Sequence, residues 1–271
     1  MDLGLQGATV AITGGTAGMG RATAECYARD GARVAVLART RSAFDEVVAS
    51  LRDAGSPDAL GIVTDVSDPD SVTAAFGDLA DRWGSLNVLV NTVGAGATIV
   101  GEFDALDDWK WDEAFDLITM GAVRACRAAL PLLRKAEWAR IVNVSAHSVQ
   151  RQSPRLIAYT AGKAALTSLT KNLSQTLAKE EILVNTVSPG TFLTAQIRDY
   201  VATEIAARGL DPADPVDVAT ILEEMFGDAL GQLGRAGLPE EIAPMITMLG
   251  SQRNTYTTGA DLNVDGGSDF R

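Results

Sequence analysis

At 271 residues and 46% hydrophobic content, the chain is long enough to bury a sizeable core, and α/β folds of this length commonly form one domain. A formal charge of −12, a pI near 4.5 and 6% aromatic residues exclude a nucleic-acid binder, because such a surface repels phosphate and offers few platforms for bases. With no apolar run of about 18 residues, no basic-then-apolar N-terminus, one histidine and two cysteines, the expectation is a cytoplasmic protein with no membrane association and no metal.

Short β-branched runs alternate with longer helical patterns. Strands are predicted at residues 9–13, 34–37, 60–64, 88–90, 140–145, 183–187 and 262–264. Helices are predicted between them over 18–30, 44–51, 70–82, 109–133 and from 158 to about 180. Strands alternating with helices imply right-handed crossovers and a parallel sheet covered on both faces. Cys26 and Cys126 fall inside helical patterns and read as small buried apolar residues. No domain-length break divides residues 1–271. Residues 191–235 stand apart, with Asp211-Pro212, Asp214-Pro215, several glycines and the apolar set Val218, Ile221, Leu222, Met225 and Phe226. Inserted between the last two strands, this segment is expected to lie over their carboxyl ends as a helical substrate lid.

Two motifs carry chemistry. The first strand runs into Thr13-Gly14-Gly15-Thr16-Ala17-Gly18-Met19-Gly20 and then into a helix. Glycines let the backbone approach a pyrophosphate, and the helix N-terminus offers free N–H groups and partial positive charge to an anion. Far along the chain, Tyr159 and Lys163 stand four residues apart on a predicted helix, so phenol and ammonium share a face. A nearby cation stabilises a phenolate, which is expected to lower the Tyr159 pKa and allow proton exchange with a substrate oxygen.

Together these motifs resemble the short-chain dehydrogenase/reductase family, and the resemblance spans essentially the whole chain. Asn91-Thr92-Val93-Gly94 resembles the family's segment after the fourth strand. Residues 185–190, Asn-Thr-Val-Ser-Pro-Gly, resemble the turn that holds the nicotinamide end, and residues 259–267 resemble its carboxyl-terminal signature. The resemblance implies a Rossmann-type, doubly wound parallel seven-stranded sheet with helices on both faces. It implies nucleotide contacts at Gly14, Thr16, Gly18, Met19, Gly20, Asp65, Val66, Asn91, Gly94, Tyr159, Lys163, Pro189, Gly190 and Thr194. It also implies a homotetramer or homodimer assembled through the long helices. NAD binders place an acid at the end of the second strand; here Ala38 stands there, followed by Arg39, Thr40 and Arg41. A small residue followed by arginine suits a 2′-phosphate, which points to NADP(H), with NAD(H) as the alternative.

The pattern breaks at two places. The family's serine position, counted back from Tyr159, falls on Ala146, with Ser145 one residue early; a one-residue slip in a strand turns a side chain to the other face. The family's helical asparagine, counted back from Pro131, falls on Ile118. Ser145 is therefore a doubtful catalytic group, and His147, the single histidine, is a candidate replacement donor. Two readings stay open: an NADP(H)-dependent oxidoreductase that interconverts a carbonyl and a secondary alcohol on a hydrophobic small molecule through Tyr159, or a cofactor-binding scaffold with little reductase activity.

Overall fold

The structure, a computed structural model, describes residues 2–94, 99–226 and 231–268. Its seven strands are β1 (Thr9–Thr13), β2 (Arg33–Ala38), β3 (Ala59–Val63), β4 (Val88–Asn91), β5 (Ala139–Val144), β6 (Ile182–Pro189) and β7 (Asp261–Val264). They form one all-parallel sheet in the order β3-β2-β1-β4-β5-β6-β7. The order reverses beside β1, so a crevice opens between the carboxyl ends of β1 and β4, the place where open α/β sheets take ligands.

Strand residues alternate between two apolar layers, as a period of two requires. On one face Val10, Ile12, Val34, Val36, Val88, Val90, Val142 and Val144 pack under α1 (Gly18–Arg29), α2 (Phe44–Asp53) and α9 (Pro239–Leu249). On the other, Ala11, Ala35, Leu37, Leu89, Ile141 and Val184 pack under α3 (Pro69–Trp83), α5 (Gly121–Leu133) and α6 (Ile157–Leu177). Burial on both sides explains why the five inner strands read as continuous apolar runs, while the edge strands β3 and β7 are only partly buried.

Two expectations need correction. Residues 109–133 are not one helix. They form α4 (Asp108–Phe115) and α5, joined by a π-helical turn over Asp116–Met120. Helix α9 was not among the predicted elements, although its start carries Pro239 in the first turn with Glu240 and Glu241 behind it. Pro244 inside the helix hid the pattern, since proline normally ends one.

After β6 the chain makes α7 (Ala195–Arg208) and α8 (Pro215–Phe226). Leu193, Val201, Ile205, Val218, Ile221 and Leu222 form a separate small apolar cluster between them. Residues 227–230 of the expected lid lie outside the described residues, and so does the side chain of Phe226.

Candidate active site

The turn after β1 is built for close backbone approach. Gly14 and Gly18 have φ of +72° and +51°, a region that side chains with a Cβ avoid. A Cβ on Gly20 would collide with the Gly14 carbonyl oxygen, and one on Gly15 would stand 2.7 Å from Val36 Cγ1. The Thr92 hydroxyl donates to the Thr13 carbonyl at 2.6 Å and pins the turn to the end of β4. Ala17 caps α1 without a side-chain bond, and the first turn holds no acid, so its N–H groups face the crevice with their partial positive charge uncancelled. Met19 packs against the core beneath, and Thr16 is half-buried at the turn. A diphosphate fits this cradle on size and charge. Opposite it, a Cβ on Gly18 would lie 3.2 Å from Thr194 Cγ2. The Thr194 hydroxyl accepts from the Ile197 N–H at 3.3 Å and starts α7, so the structure gives it a helix-capping role. Gly190 presses against Asp265, where a Cβ would stand 2.7 Å from the Asp265 Cα, and Gly94 is open to solvent.

At the end of β2, Arg39, Thr40 and Arg41 are exposed. Among the described residues neither arginine side chain is hydrogen-bonded or ion-paired, although the Arg39 charge acts at longer range on the Asp65 carboxylate. In the loop after β3, Asp65 accepts from the Ser67 N–H at 2.9 Å and the Ser67 hydroxyl at 2.7 Å. Those bonds, the hydroxyl's foremost, hold its carboxyl below the usual carboxylate range. Val66 follows, buried, with its carbonyl bonded by Arg124.

The Asn91 side chain is committed to the sheet. It accepts from the Thr13 hydroxyl at 3.3 Å and donates to Asn143 Oδ1 at 2.8 Å, and Asn143 donates to the Thr170 hydroxyl at 2.9 Å. These residues stand in register on adjacent strands, so the polar row ties β1, β4, β5 and α6 together under the crevice. Only its backbone remains for a nucleotide.

Tyr159 and Lys163 lie on the first turns of α6, and Lys163 is 2% exposed. Its Nζ donates to the Val144 carbonyl at 2.7 Å and the Val93 carbonyl at 3.4 Å, and it sits 5.8 Å from the centre of the Tyr159 ring. Val93 also faces the phosphate turn, since a Cβ on Gly14 would be 3.5 Å from Val93 Cγ2. Lysine, β4 end and glycine turn are thus contiguous at one sheet edge. Sequence reasoning missed the two anchoring carbonyls, because backbone acceptors leave no mark in residue type. Among the described residues the Tyr159 hydroxyl has no hydrogen-bond partner.

Here the structure corrects the expected pKa shift. Burial pushes the Tyr159 phenol up to about 12 and pulls Lys163 down to about 7. The ammonium is spent on main-chain carbonyls and stands off the ring, so desolvation outweighs its attraction for the phenolate.

The two departures are structural as well. Ser145 donates to the Lys163 carbonyl at 3.2 Å and shares a hydrogen bond with the Thr167 hydroxyl at 2.8 Å, beneath α6. Ala146 follows, buried, with no polar atom in its side chain. His147 Nδ1 lies 3.1 Å from the Pro189 carbonyl. A carbonyl only accepts, so that contact places a proton on Nδ1, and the neutral ring has an acceptor at Nε2; it donates there only as imidazolium. The Thr160 hydroxyl donates to Ser148 Oγ at 3.0 Å and fixes this loop to the Tyr159 helix. Ile118 is buried among Ile99, Ala114, Ala122 and Leu166, with Tyr159 at the edge of the cluster.

A family model described as short chain dehydrogenase matches residues 8–205. The chain belongs to that family. Short-chain dehydrogenase relatives align over nearly all of it. Cis-4-hydroxycyclohexanecarboxylate dehydrogenase of Sinomonas cyclohexanicum is 35% identical over 256 residues, covering 94% of each chain. Among solved structures, L-sorbose reductase of Gluconobacter frateurii, complexed with NADPH and L-sorbose, superposes with a TM-score of 0.90 at 29% identity, covering 99% of this chain and 98% of that one. A short-chain oxidoreductase of Pseudomonas aeruginosa PAO1, described as containing an atypical catalytic center, gives 0.88 at 29% identity and full coverage of both. The chain is thus an oxidoreductase of the short-chain dehydrogenase kind.

Proposed function

We propose that this protein is an NADP(H)-dependent oxidoreductase that interconverts a carbonyl and a secondary alcohol, with Tyr159 as acid in reduction and base in oxidation. The observation that carries the reading is the contiguity of Lys163, Val93 and Gly14, which brings the phenol helix and the phosphate turn to one crevice. The unpaired Arg39 and Arg41 beside the neutral Ala38 favour a 2′-phosphate, and the sorbose reductase relative is complexed with NADPH.

The chemistry a bound nicotinamide supplies is hydride transfer. Gly14, Gly18 and Gly20 with the α1 N-terminus would hold the diphosphate, Gly190 and Thr194 would border the nicotinamide end, and Tyr159 would give its proton to the substrate's carbonyl oxygen. Held at about 12, the phenol stays protonated through neutral pH, the state that carbonyl reduction needs. Helices α7 and α8 act as the substrate lid. Their apolar cluster holds the two helices to each other, and the substrate is a small molecule, of hydrophobic character on the sequence reading.

A carbonyl panel with NADPH tests this, followed by the loss of reduced-nicotinamide absorbance. The expected result is turnover of at least one ketone, lowered by roughly 10²–10⁴ in Tyr159→Phe with NADPH binding retained. Ala146 and Ile118 favour the scaffold as the second reading; tight NADPH binding with no turnover across the panel would establish it.

A further inference from the structure

Arg124 rises from α5 with its side chain only 15% exposed. Its guanidinium is divided between two distant parts of the site. Nη1 donates to the Val66 carbonyl at 3.1 Å, in the loop that carries Asp65. Nη2 donates to Asp116 Oδ1 at 2.6 Å, and Nη1 also reaches the Asp116 carbonyl at 3.4 Å. Asp116 opens the π-helical turn, and that turn lies directly against the Tyr159 helix. The Thr119 hydroxyl donates to the Gly162 carbonyl at 3.0 Å, and a Cβ on Gly162 would stand 3.3 Å from Ile118 Cδ1. Gly162 is the residue before Lys163. The near side is equally tight, since a Cβ on Gly121 would lie 2.9 Å from Val66 Cγ2.

One planar fork therefore ties the loop after β3 to a helix break that touches the segment holding Lys163. A fork makes such bonds in fixed relative geometry, so movement at one end is felt at the other. Coupling also needs an element with two arrangements. The element here is the π-helical turn, a rare geometry that gathers at functional sites.

We propose that Arg124 is a positioning residue that couples occupancy of the adenosine end of the nucleotide site to the ordering of the helix break behind Tyr159 and Lys163. The inference rests on the assignment of Asp65 and Val66 to the adenosine side.

The test uses 2′,5′-ADP, the adenosine half of the cofactor, and needs no turnover. Calorimetry gives its Kd, and hydrogen exchange reads the amides of residues 116–120. In the native protein the nucleotide slows exchange there. Arg124→Ala weakens 2′,5′-ADP by about tenfold and abolishes the protection, while Arg124→Lys, with one point donor, restores part of both. Asp116→Ala removes the acceptor of the 2.6 Å bond at the far end and leaves only the 3.4 Å contact to the main-chain carbonyl, so it keeps the native Kd and loses the protection. That variant stands in should Arg124→Ala fail to fold. Native binding with no change at 116–120, or protection that survives in Arg124→Ala or in Asp116→Ala, overturns the coupling alone. No binding of 2′,5′-ADP to the native protein overturns the cofactor assignment and the coupling with it.

Discussion

Along β5 a shift of one position decides which side of the sheet a hydroxyl serves. Asn143 and Ser145 face α6, where each is bonded, and Val144 faces the opposite layer. That alternation was readable from the sequence, because strand period fixes it. The fate of the Ser145 hydroxyl was not, since its partners Thr167 and the Lys163 carbonyl come from a helix about twenty residues on. Ala146→Ser supplies a donor at the position where the family resemblance expects its serine; carbonyl reduction is expected to speed up by as much as roughly 10²–10³, the scale of one donor to a developing oxyanion. An unchanged or lower kcat would show that the site does not lack this group. Lys163 gives a second residue-level prediction. Burial lowers it from 10.5 to about 7, so between those values the unfolded chain holds a proton that the folded chain lacks. Stability from this group accordingly rises with pH across that window, and below it the folded state bears the full cost of a buried charge. Lys163→Met is expected to gain most over the native protein below pH 7, with the gain shrinking toward pH 10.5. Urea unfolding across pH measures it, and a gain that stays flat or grows contradicts the burial account.

Elements were legible where burial is two-sided. The five inner strands are legible because burial on both faces leaves apolar runs that no loop resembles, and the partly exposed edge strands β3 and β7 are legible from short β-branched runs in the alternation with helices. The break at Asp116–Met120 was hidden, although its trace is present. Ala114, Ile118, Ala122 and Cys126 are all buried at steps of four, and each such step overshoots a regular turn by about 40°, a drift that a wider turn absorbs. The loop after β2 was legible as a charge pattern, since two arginines follow a small residue in an otherwise acidic chain. It carries its own test. The double variant Arg39→Ala, Arg41→Ala is expected to weaken NADPH by about 10–100-fold, the scale of one or two charge-assisted hydrogen bonds, and to leave NADH unchanged. Equal losses for both nucleotides would mean that the loop does not read the 2′-phosphate.

For the molecule as a whole, function depends on convergence. A turn at residues 13–20, a β4 end at 91–94 and a helix starting at 157 reach one edge only because every strand runs the same way and the order reverses at β1. Motif order along the chain implied that meeting, whereas the bonds that make it, from Lys163 to Val144 and Val93, appear only in three dimensions. The helices α7 and α8 share their own apolar cluster, apart from the two layers of the sheet. The most direct measurement is a crystal structure of the protein with NADPH. The account predicts the diphosphate on Gly14–Gly20, the 2′-phosphate beside Arg39, and the nicotinamide within hydrogen-bond reach of the Tyr159 and Lys163 side chains. A nicotinamide lying away from the Tyr159 hydroxyl, or a nucleotide that leaves the glycine turn empty, would contradict it.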